Sequence, residues 1–209
     1  MRLELLVQFL LFLPMMLVSL TVHEVAHGWI AYRDGDPTAK SLGRLSLNPL
    51  VHIDPFGTIL LPILLILAGA VPLGWARPVP VNFLNLRNPK RQIISVAAAG
   101  PLANLLLALA IALFIKAPWL TSHPRLIEFL AIGGYMNIGL AIFNLLPIPP
   151  LDGSKVMLGL LPPRLFPAYR ILERYGFLLL LLFWFSGFFD VILFPLVHLL
   201  GATLRLPAI

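Results

Sequence analysis

Eighteen consecutive residues, Leu5 to Val22, carry no charge, and the run leads straight into His23-Glu24-Val25-Ala26-His27. An apolar run of this length reads as a membrane-crossing helix. Hydrocarbon offers the backbone no water to bond, so such a segment must satisfy its own peptide groups by winding as a helix. Continued through the motif, that helix places His23 and His27 one above the other on one face. Both imidazoles can then turn toward one metal ion, with Glu24 beside them to take a proton from water. No small-residue cleavage site precedes the cluster, so the run is expected to be retained rather than removed as a signal peptide.

The remainder of the chain agrees with a bilayer. Of its 209 residues 59% are hydrophobic and 11% charged, where soluble domains carry roughly 25% charged residues. The mean hydropathy is +0.94. The expected class is an all-α polytopic membrane protein, a single domain over 1–209. The net charge of +6 reads as loop charge at a membrane face, so the bilayer is an expected partner and nucleic acid is not. With no cysteine in the chain, disulfides and thiolate metal ligands are excluded.

Five apolar stretches are candidates for membrane segments: 5–32, 56–76, 93–115, 129–149 and 177–200. Gly35-Asp36-Pro37 stops the first. The second carries Pro62 and Pro72. After it, Pro78 and Pro80 forbid a regular helix over Arg77–Asn82 and favour an extended segment. Asp190 and Pro195 interrupt the last stretch.

Catalytic zinc commonly takes three protein ligands and leaves a fourth position to water. The third ligand has few candidates: His52, His123, His198, five aspartates, and Glu4, Glu128 and Glu173. Asp152 stands out, because it follows the 129–149 stretch and Pro147, Pro149 and Pro150, and precedes Gly153. An ionisable group at the edge of a membrane segment is a functional candidate by default.

Three motifs then stand in order: His23-Glu24-Val25-Ala26-His27, Ala99-Gly100-Pro101-Leu102-Ala103-Asn104, and Asn144-Leu145-Leu146-Pro147-Ile148-Pro149-Pro150-Leu151-Asp152-Gly153. Together they resemble the site-2 protease family, the intramembrane zinc metalloproteases of peptidase family M50. The likeness covers roughly residues 5–160, with the 177–200 segment beyond it. It implies Zn2+ held by His23, His27 and Asp152, with Glu24 as catalytic base. Asn104 and Asn144 match family asparagines near the site and are expected to offer amide groups to the freed substrate backbone. Arg77–Asn82 resembles the family's membrane-associated β-hairpin, so Val79 and Val81 are expected to receive an unwound transmembrane substrate as an added strand. The chain departs from many relatives in having neither a PDZ nor a nucleotide-sensing domain, and in its additional stretch 56–76. A compact form of this kind fits the prokaryotic plasma membrane.

Topology constrains the metal. If all five stretches crossed, His27 and Asp152 would face opposite sides of a hydrocarbon core about 30 Å thick. Metal bonds of about 2 Å could not join them. If 56–76 is re-entrant, four full crossings remain, and the loops 33–55, 77–92 and 152–175 share a face. That face carries eleven of the 15 Lys and Arg residues, which makes it cytoplasmic. His27 and Asp152 then lie at one depth. Two competing readings are a metal-ion transporter, which would spread polar residues across the membrane, and an inactive scaffold, which has no need of Glu24. Asn104 and Asn144 have a second reading too, as bonds between neighbouring helices.

Overall fold

A computed structural model describes residues 2–69 and 74–208; Pro72, one of the two prolines of the expected re-entrant stretch, lies outside them. The first helix, α1 (Arg2–Arg33), runs without a break past Pro14 and through the histidine cluster. Its 32 residues make a rod about 48 Å long, longer than the ~30 Å hydrocarbon core. Gly35 ends it at φ +118°, a backbone region closed to most L side chains. The short α2 (Thr38–Ser41) follows.

Pro55–Leu60 winds as a π-helix into α3 (Leu61–Ala68), which Gly69 caps at φ +80°. The apolar helix Pro55–Ala68 is about 21 Å long, too short to cross. By Trp75 the chain is back where it left. The Trp75 N–H donates to the Gly57 carbonyl at 3.1 Å, and the Arg77 N–H to that of His52 at 2.9 Å. The Thr58 hydroxyl donates to the Trp75 carbonyl at 2.7 Å. The excursion therefore leaves and returns at the same end of the molecule.

The expected β-hairpin does not form, and among the described residues there is no β-strand. Residues 74–82 form neither helix nor strand, with Asn82 extended, and pair with no neighbouring strand. Pro78 and Pro80 supply no N–H to a ladder, and side chains take up other backbone groups of the segment. The Arg44 guanidinium donates to the carbonyls of Arg77 (2.8 Å) and Pro78 (3.3 Å). The Val79 N–H donates to Glu24 and the Asn82 N–H to Asp36, each at 2.7 Å.

Three longer helices and their appendages complete the fold: α4 (Pro89–Phe114), α5 (Pro124–Leu145), α6 (Asp152–Leu160), α7 (Phe166–Phe185) and α8 (Phe194–Thr203). Three segments are long and apolar enough to cross a membrane: Leu3–Arg33, Pro89–Phe114 and Pro124–Leu145. The fourth expected crossing is a broken pair, Phe166–Phe185 and Phe189–Thr203, bent by 73°. The break comes at Gly187, φ +74°, before Asp190 and Pro195, because glycine reaches the left-handed region at little cost.

Helix α4 touches α1, α5 and α6 and so holds the centre. Its inward residues are small, with Ala97, Ala99, Gly100, Ala108 and Ala112 buried. Small residues let helix axes approach where no hydrophobic force drives them together. A second cluster gathers Tyr135 and Ile138 of α5 against Phe189, Leu193 and Val197. Outward, large apolar side chains such as Leu106 (66%), Phe177 (68%) and Phe185 (82%) stand exposed. A soluble monomer does not expose apolar surface on this scale; the chain is a multi-pass membrane protein.

Candidate metal centre

Asp152 opens the first turn of α6, and its position depends on Gly153. A Cβ at Gly153 would lie 2.1 Å from the Leu145 carbonyl oxygen and 2.5 Å from that of Leu146. Without one, α6 folds back tightly on the end of α5 and the carboxylate swings toward α1. Its Oδ2 lies 3.0 Å from His23 Nε2 and 3.0 Å from His27 Nε2, and the two ring nitrogens are 3.0 Å apart. The three residues are buried. They make up the one group of three or more potential metal ligands among the described residues.

The chemistry of the donors fits a metal ion. His27 Nδ1 faces the Val96 carbonyl at 2.7 Å. A carbonyl only accepts, so Nδ1 carries the hydrogen and Nε2 of the neutral ring presents a lone pair. His23 Nδ1 is likewise bonded, to Asn104 Oδ1 at 2.6 Å. Two imidazole lone pairs and a carboxylate oxygen thus converge, an arrangement that repels itself unless a cation sits among them. Tetrahedral zinc with bonds of about 2.0–2.1 Å keeps its donors roughly 3.3 Å apart, close to the separations here.

Lys155 Nζ reaches the other carboxylate oxygen of Asp152, Oδ1, at 3.1 Å.

A cavity of about 280 Å³ opens onto the cluster. Glu24, Val79, Val81, Asn144, Asp152 and Lys155 all line it. Asn144, Val79 and Val81, expected near substrate, therefore face the same space as the histidines. Asn144 Nδ2 donates to the Leu140 carbonyl of its own helix at 3.0 Å. Asn104 takes the second of its two expected roles, a bond between neighbouring helices. It is fully buried at 0% exposure and lines no part of the cavity. Its amide is used by His23 and by the neighbouring helices, so it has nothing to offer a substrate. His52 is 1% exposed and bonded to the Ser46 carbonyl at 2.8 Å, within its own loop.

Two further residues, one at the centre and one beside it, shape the site without having been assigned a role in it from the sequence. Gly100 of α4 lies against the ring nitrogens: a Cβ there would come 2.4 Å from His27 Nε2 and 2.6 Å from His23 Nε2. In the sequence it reads as a helix-packing glycine. Asp36, fully buried, accepts from the backbone N–H groups of Thr38 and Asn82 and from the side chains of Thr38 and Asn85. Burial would raise its carboxyl, but these hydrogen bonds prevail and lower it. Asp36 thereby anchors the far end of the segment whose near end meets Glu24.

Comparison with known proteins agrees with this geometry. The family model for peptidase family M50 matches residues 11–122 and 119–183. A Bacillus subtilis protein named "Putative zinc metalloprotease YwhC" is 39% identical over 193 residues, covering 88% of this chain and 84% of that one. "Putative zinc metalloprotease Rip2" of Mycolicibacterium smegmatis is 31% identical over 191 residues, covering 91% and 72%. "Putative zinc metalloprotease MJ0611" of Methanocaldococcus jannaschii is 44% identical over 62 residues, 30% of this chain. No solved structure matches. The chain belongs to peptidase family M50 and is a zinc metalloprotease.

Proposed function

We propose that the protein hydrolyses peptide bonds within or near the transmembrane segments of membrane-protein substrates, with the site open to the cytoplasmic side. The observation that carries this reading is the shared cavity. One space touches the proposed metal ligands His23, His27 and Asp152, the proposed base Glu24, and the edge formed by Val79 and Val81.

Bound zinc would acidify water and polarise the scissile carbonyl. Around it the chain's own groups have separate tasks. Val96 and Asn104 hold the two imidazoles in the orientation that directs Nε2 inward. Glu24 takes the proton of the attacking water and delivers it to the leaving amine nitrogen. Its Oε2 is held by the Val79 N–H, so Oε1 is the oxygen left to do this. A helical peptide bond is shielded by its own hydrogen bonds, so the substrate must unwind before attack. Among the described residues the Val81 N–H and the Val79 carbonyl bond to no other backbone group; they offer the unwound segment a partner by strand addition. Asn144, across the cavity, offers its side-chain oxygen.

The depth of the site rests on topology. The Arg87 N–H donates to the Asp34 carbonyl at 3.2 Å, which brings the two loops on either side of the α3 excursion together. Tyr169 donates to the Ser154 carbonyl at 2.7 Å, tying α7 to α6 beside Asp152. The segments 33–55, 77–92 and 152–175 hold eleven of the 15 Lys and Arg residues, and an excess of this kind marks the cytoplasmic face. On this reading α3 is re-entrant.

The test is digestion of a panel of single-span membrane proteins by the purified chain in detergent, with cut sites mapped by mass spectrometry. Cuts inside or at the margin of the spanning segment, abolished by a zinc chelator and restored by zinc, are expected. Cuts confined to soluble loops would sink the intramembrane assignment.

A further inference from the structure

Beneath His23 lies a chain of hydrogen bonds that no motif marks, and its direction can be worked out. Asn137 of α5 is fully buried. Its side chain meets the Gly133 carbonyl at 2.8 Å through Nδ2. A backbone carbonyl cannot donate, so the group facing it must be the amide NH₂. The same NH₂ reaches Ser19 Oγ at 2.9 Å, and the Ser19 hydroxyl has given its own hydrogen to the Met15 carbonyl at 2.9 Å. The oxygen of Asn137 therefore points the other way, toward Asn104, at 2.8 Å.

Asn104 must answer with its NH₂. The Ser19 carbonyl, 3.2 Å from the same nitrogen, imposes the same choice independently. That leaves Asn104 Oδ1 facing His23 Nδ1. An amide oxygen only accepts, so Nδ1 carries the hydrogen and Nε2 presents its lone pair toward His27 and Asp152. Orientation of side-chain amides is ordinarily ambiguous. Here three backbone carbonyls, of Met15, Ser19 and Gly133, remove the ambiguity.

We infer that Asn137, with Ser19, is a positioning residue of the metal centre: it locks Asn104 and through it the metal-binding tautomer of His23. His27 reaches the same tautomer by a shorter route, its direct bond to the Val96 carbonyl. Both rings bond directly to α4, His23 to Asn104 and His27 to Val96, but only the His23 contact is backed from α5, by Asn137. This inference rests on the assignment of His23 and His27 as metal ligands. Partners that orient a ligating histidine from behind commonly contribute 10–100-fold in metal affinity. Because α1, α4 and α5 all contribute, the relay also makes the packing of α5 a condition for the metal site, although α5 supplies no ligand.

The experiment is zinc affinity by chelator competition for the full chain in detergent, alongside 15N spectra of histidine-labelled, metal-free protein. The variants are Asn137→Leu, Ser19→Ala and His27→Ala. Wild type should show His23 in the Nδ1–H form. Asn137→Leu should weaken zinc binding about 10–100-fold and give a mixture of His23 tautomers, with His27 unchanged. Ser19→Ala keeps both backbone carbonyls that orient the amides, and should do the same to a smaller degree while folding normally. Unaltered affinity and an unaltered His23 signal in folded Asn137→Leu or in Ser19→Ala would overturn the inference. Zinc binding that survives His27→Ala at full strength would instead overturn the metal assignment beneath it, so the two failures are told apart.

Discussion

The backbone N–H of Val79 donates to Oε2 of Glu24 at 2.7 Å. The proposed catalytic base thus holds the edge proposed to receive substrate, and that edge in turn fixes the carboxylate. Gly28 permits the contact. A Cβ there would meet Val79 Cγ1 at 2.8 Å and Leu45 Cδ2 at 2.6 Å, so both side chains would have to shift. Replacing Val79 with proline removes the N–H within a non-helical segment, which proline tolerates. A hydrogen bond to a charged group contributes about 1.5–3 kcal/mol. Val79→Pro should therefore slow cleavage by roughly 10–100-fold at unchanged zinc content, whereas Val79→Ala, which keeps the N–H, should change it far less.

Gly100 packs directly on the two ring nitrogens. Gly100→Ala inserts a methyl group where His23 and His27 turn inward, and the rings must move apart. The expected result is a folded chain with zinc affinity reduced on the scale of other disturbances of ligand orientation, about 10–100-fold. Equilibrium dialysis against a zinc buffer measures this, and a thermal melt confirms the fold.

Asp36 sits outside the spanning helices and its carboxyl is lowered. A group depressed in the folded state stabilises the fold fully above its unfolded value of about 3.9. That contribution is lost as pH falls through the lower folded value. Wild type should hold its melting temperature from neutral pH to about pH 4 and lose it on further acidification. Asp36→Asn cannot accept at both oxygens, and one NH₂ would face the Thr38 or Asn82 N–H. It should be destabilised by about 1–3 kcal/mol at neutral pH and should lose less than wild type in acid. Differential scanning across pH reads both.

The chain has no cysteine, so single-cysteine labelling reports topology without background. Lys40→Cys and Asn88→Cys should react with an impermeant maleimide from the same side, because the Asp34–Arg87 contact holds their loops together. Ser122→Cys, between α4 and α5, should react from the other side. Opposite-side labelling of positions 40 and 88 would contradict the re-entrant assignment of α3.

Much of this was legible from residue type and spacing. Four-residue spacing on a helix was enough to pair His23 with His27, the place of Asp152 after 129–149 and its prolines, with the family motif, marked it as the third donor, and the demand for one depth made 56–76 re-entrant. What escaped depends on direction and shape. Asp190 and Pro195 announced an interruption of 177–200, but only the backbone reveals that the 73° bend comes earlier, at Gly187. Asn104 and Asn144 are the same residue type in neighbouring motifs. Which one is sealed behind a ligand and which one lines the cavity depends on how α4 and α5 rotate against α1. The non-helical segment was anticipated from Pro78 and Pro80, but the same prolines deny it the ladder that a hairpin needs. Asn137 and Ser19 belong to no motif at all, since what makes them matter is the set of backbone carbonyls around them.

The central claim is that Glu24 acts as a base on a zinc centre it does not help to build. Bound zinc and the cleavage rate of one transmembrane substrate, measured side by side for wild type and Glu24→Gln, test it most directly. Equal zinc in the two proteins, with cleavage lowered by about 10²–10⁴-fold in the variant, is the predicted result. Cleavage unchanged in Glu24→Gln, or zinc lost together with activity, would contradict it.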